Sequence, residues 1–168
     1  MARPTDPRIA LLLALLDEGY DRKAWHGPNL KGSIRLVDVG TAVWQPASNR
    51  KSIWDHVVHA AYWKYTIRRR ISGEPRGSFP IKGTNWFARP DPNVHNEDWE
   101  QAWKADVAML EDIHQSLRAA VAAFPAGKLD TVVKGGTWTF AFTIRGAAMH
   151  DVYHASQIQL LKKLAASG

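Results

Sequence analysis

The chain has 168 residues, 45% hydrophobic and 23% charged, enough apolar mass for one substantial core in an ordinary globular protein. It contains no cysteine, which excludes disulfides, thiolate metal ligands and a cysteine nucleophile, and leaves any metal to imidazole, carboxylate or water. The net charge of +6 suits a small anionic substrate. Its bases are scattered apart from Arg68-Arg69-Arg70, which reads as a solvated helix end, so no nucleic-acid partner is expected.

Asp6-Pro7 supplies an N-cap and a proline at the first helical position. Ile9, Leu12, Leu13 and Leu16 then recur at helical spacing to about Tyr20. This apolar run follows Arg3 and Arg8 but is too short to span a membrane, and Asp17, Glu18 and Asp21 come next in place of a cleavage site. A core-facing helix of a cytoplasmic protein with no membrane partner is expected. His26-Gly27-Pro28 breaks the chain, a second piece runs through Leu30, Ile34 and Val37, and Gly40 to Arg50 reads as a loop. Ser52-Ile53-Trp54-Asp55 has the form of a capping box with Asp in the Glu role. It opens a helix through Val57, Ala60, Ala61 and Ile67 to about Ile71. Ser72 to His95, punctuated by glycines and by Pro75, Pro80, Pro90 and Pro92, has a length typical of binding loops and lids. Its aromatic residues Phe79, Trp86 and Phe87 either cover a site or plug the far end of the helices.

Asn96 reads as the next N-cap, followed by an acidic first turn. Trp99, Trp103, Val107, Leu110, Ile113, Leu117, Val121 and Phe124 then keep a three-or-four spacing until Pro125 and Gly127. Thr131 to Phe142 is strand-like, at most a short hairpin around Gly135-Gly136. From about Thr143 a last helix runs through Ile144, Ala148, Val152, Ile158 and Leu161 to Leu164. No repeat or internal boundary interrupts the chain. Residues 1–168 therefore read as a single all-α domain, a four-helix up-down bundle with long connections.

The chemistry concentrates in His150-Asp151-Val152-Tyr153-His154, whose two histidines share one helix face at i and i+4. Such a pair can hold one metal ion, and a competent divalent site needs at least a third protein ligand. In a bundle that ligand comes from a facing helix. The candidates are His56 and His59 on the second long helix, His114 on the third, and His26 or His95 in connections. Periodicity does not choose between His56 and His59, because Val57, Val58, Ala60 and Ala61 make that helix apolar over a wide arc. His114 reads as a partly exposed structural residue and His95 as solvated. Asp151 and Tyr153 project to other sides, Tyr153 toward core packing or a subunit contact, while Gln157 can follow His154 toward an open metal position. Asp55 either caps its helix or accepts the second N–H of His59. Trp25 and His26 either line an entrance or pack at the chain break.

Ser52-Ile53-Trp54-Asp55-His56-Val57-Val58-His59 followed by Trp63, with Met149-His150-Asp151-Val152-Tyr153-His154-Ala155-Ser156-Gln157-Ile158 downstream, resembles the DinB/YfiT-like superfamily. Ala24-Trp25-His26-Gly27-Pro28 is similar to one branch of it. The resemblance covers nearly the whole chain. It implies a metal-dependent hydrolase or transferase on a four-helix bundle, with the metal held by one histidine of the second long helix and two of the last. Carried onto this sequence, the ligands are His59, His150 and His154, and His56 falls where the family usually carries an apolar residue. The characterised branches imply a low-molecular-weight thiol, as in bacillithiol or mycothiol transfer and isomerisation. A three-histidine site leaves open positions, as catalytic zinc sites do, and imidazole suits zinc or nickel. The expectation is a metal-dependent enzyme with a small-molecule substrate. The alternative is a non-catalytic metal-binding bundle acting as a stress-related binding protein. The family habit, the eight tryptophans and the prevalence of two-fold dimers imply a homodimer.

Overall fold

The computed structural model describes residues 6–77, 79–91, 93 and 95–167. Among these the regular structure is helical: α1 (Pro7–Tyr20), α2 (Leu30–Ile34), α3 (Val39–Val43), α4 (Ile53–Ser72), α5 (Trp99–Ala122) and α6 (Phe140–Ala165). The expected strand-like run reduces to one bridge between Val132 and Thr139.

Most helix starts are set by side chains that satisfy the first free N–H groups. Asp6 accepts from Arg8 N at the head of α1. Ser52 and Asp55 exchange both bonds of a full capping box at the head of α4. Two starts differ from the sequence expectation. Thr139 accepts from Phe142 N, so α6 begins at Phe140, three residues early. Asn96 makes no side-chain cap; Asn96–Asp98 form a 3-10 turn and α5 follows at Trp99. A third difference is α3, inside the segment expected to be loop. Asp38 accepts from Thr41 N and winds one short helix there.

Helix α4 packs on α5 and α6, and α1 completes the set by packing on the same two helices. Every residue from Ile53 to Ala61 is buried, which makes α4 the innermost helix at its N-terminal end. Paired contacts give the helix directions. Trp54 donates to Asp106 and Lys64 meets His114, so α4 and α5 run the same way. His56 meets His154 and His59 meets His150, so α6 runs against α4. Asp17 pairs with Arg118 and Tyr20 with Glu111, so α1 runs against α5. Strict up-down alternation along the chain is thus broken between α4 and α5, and the long connection between them is what spans the helix length.

The core has two apolar parts. One gathers Ile9, Leu12, Leu16, Leu117, Val121 and Ile144. The other gathers Trp54, Val57, Val58, Trp103, Leu110 and Ile158. At Gly19 a Cβ would stand 2.9 Å from the Ala148 carbonyl oxygen, so glycine is what lets α1 approach α6 there. No helix among the described residues is long and apolar enough to cross a membrane.

Candidate metal centre

Helices α4 and α6 bring three imidazoles to one point. His59, His150 and His154 each present a ring nitrogen to the group, and these nitrogens all lie within 4.8 Å of one another. His150 Nε2 stands 3.2 Å from His59 Nε2 and 3.0 Å from His154 Nε2. Two nitrogens bound at roughly 2.0–2.1 Å to one ion are separated by about 3.0–3.4 Å, and both spacings about His150 Nε2 fall in that range.

The far nitrogens fix which lone pairs face inward. His59 Nδ1 donates to the Asn85 carbonyl oxygen at 2.8 Å, because a carbonyl can only accept. His59 Nε2 is therefore bare and points at the other rings. His154 Nδ1 lies 3.1 Å from Gln157 Oε1 and 2.9 Å from His56 Nδ1. A proton on His154 Nδ1 serves the amide oxygen and the neighbouring ring together, which leaves His154 Nε2 bare as well. Histidine ligands to metals are commonly oriented in this way, with the second ring nitrogen hydrogen-bonded to a carbonyl, carboxylate or water.

His56 thus stands behind His154, and its own ring meets Trp86 edge-on at 5.4 Å. The connection between α4 and α5 returns to the site at Asn85 and Trp86. Asn85 adopts a left-handed φ of 65°, which asparagine tolerates better than most residues, and its side chain accepts from Trp63 Nε1 at 3.0 Å. Trp86 stacks on His59 with ring centroids 3.9 Å apart. Phe79 and Phe87 instead pack against Tyr62, 5.3 and 5.5 Å away. The loop's aromatics are divided, one covering the histidines and two filling apolar space beside α4.

The other sequence candidates resolve individually. Asp55 caps α4 through Ser52 and does not reach His59, whose second nitrogen is taken by Asn85. Tyr153 is neither packed in the core nor remote: it is exposed, lies edge-on to His154 at 5.1 Å and borders a neighbouring cavity. Trp25 is fully exposed, and His26 lines a shallow groove along α6, away from the three histidines. His114 is buried, not partly exposed, stacked on Tyr20 at 3.7 Å with its Nδ1 3.1 Å from Lys64 Nζ. Lys64, which nothing in the sequence singled out, donates to Asp151, the residue after His150, in a fully buried pair.

Burial holds the histidines neutral. It depresses His150 to about 4, with the nearby His59, Lys64 and His56 adding to the effect. His154 falls to about 2, from burial first and then from His150, His56 and His59. His56 falls to about 4 through burial, His59 and Lys51. His59 is lowered by burial against the raising effect of its bond to Asn85. Neutral imidazoles with inward lone pairs are the donor set that a divalent ion of the zinc type requires.

The family model described as the DinB superfamily matches residues 24–158, a span that includes all three converging histidines and the loop that covers them. The chain belongs to the DinB superfamily. No curated protein and no solved structure is significantly similar to it.

Proposed function

We propose that this DinB-superfamily chain holds one divalent metal ion through His59, His150 and His154 and uses it in hydrolysis or in small-thiol-dependent transfer on a small molecule. The observation that carries the reading is the convergence of three imidazoles, two of them with the far nitrogen committed as a hydrogen-bond donor. Bound by these three neutral imidazoles, such a cation would supply Lewis acidity toward a substrate oxygen or a thiol sulfur. Zinc or nickel suits the all-imidazole set.

The chain's own residues supply the rest. Asn85 and Gln157 fix the ligand tautomers, Trp86 shields one side of His59 from water, and His56 backs the Nδ1 side of His154, both rings lining the adjacent cavity. The whole chain is read as one four-helix-bundle domain, paired in a homodimer. Exposed apolar residues, Trp138 against Phe142 at the start of α6 and Met149 further along it, support the pairing.

Elemental analysis of protein purified without a nickel column is the test. One equivalent of metal is expected, lost in the His150→Ala, His154→Ala double variant. Full metal content in that variant would place the site elsewhere. Metal-loaded protein is then assayed with ester substrates and with electrophiles plus a low-molecular-weight thiol, and turnover should vanish in His59→Ala. Bound metal without turnover in either assay would leave a non-catalytic metal-binding protein.

A further inference from the structure

Beside the three histidines lies a cavity of about 600 Å³, well inside the range of about 300–1,000 Å³ typical of small-molecule sites. His56, Trp86, His154 and Gln157 form the end nearest the metal ligands. Its remaining walls differ sharply in character. One carries Arg50 and Lys51, the two residues preceding the Ser52 cap of α4. The other is formed by Leu160, Leu161 and Leu164 of α6, of which Leu160 and Leu164 are 58% and 43% exposed. Among the described residues, no carboxylate lines the cavity. Asp55, whose carboxyl feels the Lys51 charge, is buried, occupied with Ser52 and absent from the wall. Lys51 instead lies over the Trp86 ring at 5.2 Å, the same ring that stacks on His59.

We infer that this cavity binds a small amphipathic anion, with its carboxylate or phosphate head at Arg50 and Lys51 and an apolar body along Leu160, Leu161 and Leu164. Two cations that face no acid among the described lining residues draw a negative group, and low-dielectric walls strengthen that attraction. Leucines exposed in a concave wall gain from apolar cover in proportion to the area removed from water. Neither half of the wall accounts for the other: a hydrophilic anion leaves the leucines wet, and a neutral hydrocarbon leaves the cations unused. The inference rests on the proposed function only in taking the occupant as the substrate of the metal-bearing site.

Isothermal titration of zinc-loaded, full-length protein with octanoate and octyl phosphate tests it, with octanol and inorganic phosphate as controls. Both amphiphiles should bind at least tenfold more tightly than either control, and their ratio tells which head group is preferred. Arg50→Ala, Lys51→Ala should weaken them at least tenfold, as should Leu160→Asp, with metal content and melting temperature unchanged because these side chains are on the surface. Octanol binding as well as octanoate, inorganic phosphate binding as well as octyl phosphate, or variants that bind like the parent would each overturn the inference. A Leu160→Asp variant that alters only the oligomeric state would assign the leucines to a second copy and would overturn it too. Amphiphile binding by protein that holds no metal at the histidines would leave the inference standing and remove the proposed function instead.

Discussion

Lys64 and Asp151 offer the sharpest perturbation in this fold, because the pair is 2% and 0% exposed and joins the two helices that carry the converging histidines. Lys64 Nζ donates to Asp151 and also lies against His114 and over the Tyr20 ring. Lys64→Met keeps most of the side-chain volume and leaves the Asp151 carboxyl buried without its cation. Breaking a buried pair in this way costs about 3–5 kcal/mol. Replacing both partners by Lys64→Met, Asp151→Leu should recover most of that loss, since no charge then remains inside. The pH dependence has a definite sign. Burial already pushes Asp151 up to about 6 despite the opposing pull of Lys64. Without the ammonium that carboxyl moves higher still, and a carboxyl raised in the folded state loses stability as pH climbs above its unfolded value. The gap between Lys64→Met and the parent should therefore shrink as pH is lowered from about 7 toward 5. Urea unfolding with a chelator present, which removes any metal contribution, measures all three proteins. A single variant within about 1 kcal/mol of the parent at pH 7, or a double variant no better than the single, would refute the reasoning.

Three further outcomes are expected. His56→Ala should keep its metal with affinity lowered about tenfold, the usual scale for a lost partner behind a ligand, whereas His59→Ala should lose it; equilibrium titration with zinc distinguishes the two. Trp86→Ala should weaken substrate or inhibitor binding with little change in melting temperature, because Phe79 and Phe87 still anchor the loop on Tyr62; a large stability loss with unchanged binding would make Trp86 a structural plug. Metal-free protein should lose stability as pH falls from about 6.5 toward 4, because the unfolded chain takes up protons that His56, His150, His154 and His114, held at about 4, 4, 2 and 3, refuse when folded. Melting temperatures that stay flat between pH 7 and 4.5 would contradict that.

Where the chain signals structure through side-chain type and period, the sequence is legible. The spacing from Trp99 to Phe124, the Asp6-Pro7 start and the Ser52–Asp55 box all correspond to helices that form at those places. The departures have local causes. Helix α3 is five residues long, too short to show a period, and exists because Asp38 closes one turn on Thr41. The start of α6 was hidden because Thr137 to Phe142 is rich in β-branched and aromatic residues, whose strand preference is overridden once Thr139 caps the helix. The common direction of α4 and α5 leaves no mark except the length of the connection between them.

The site divides along the same line. His150 and His154 are visible because i and i+4 must share a helix face, whatever surrounds them. His59 could be chosen over His56 only through the family likeness, since α4 is buried on every side at that point and both rings face the interior. In three dimensions the two differ by what holds them. His59 gives its far nitrogen to a backbone carbonyl and turns Nε2 inward, while His56 turns Nδ1 to the back of His154. The group that makes this difference is Asn85 O, and a carbonyl oxygen has no residue type to read. Only the left-handed turn that presents it, and the Trp63 indole that clamps the Asn85 side chain, carry sequence identity. The tautomer of a residue on α4 is thus decided by a loop more than twenty positions away in sequence. Substitutions at Asn85 or Trp63 should therefore act on the proposed ligand His59 without touching it, and the length of the α4–α5 connection acquires a purpose beyond crossing from one end of the helices to the other.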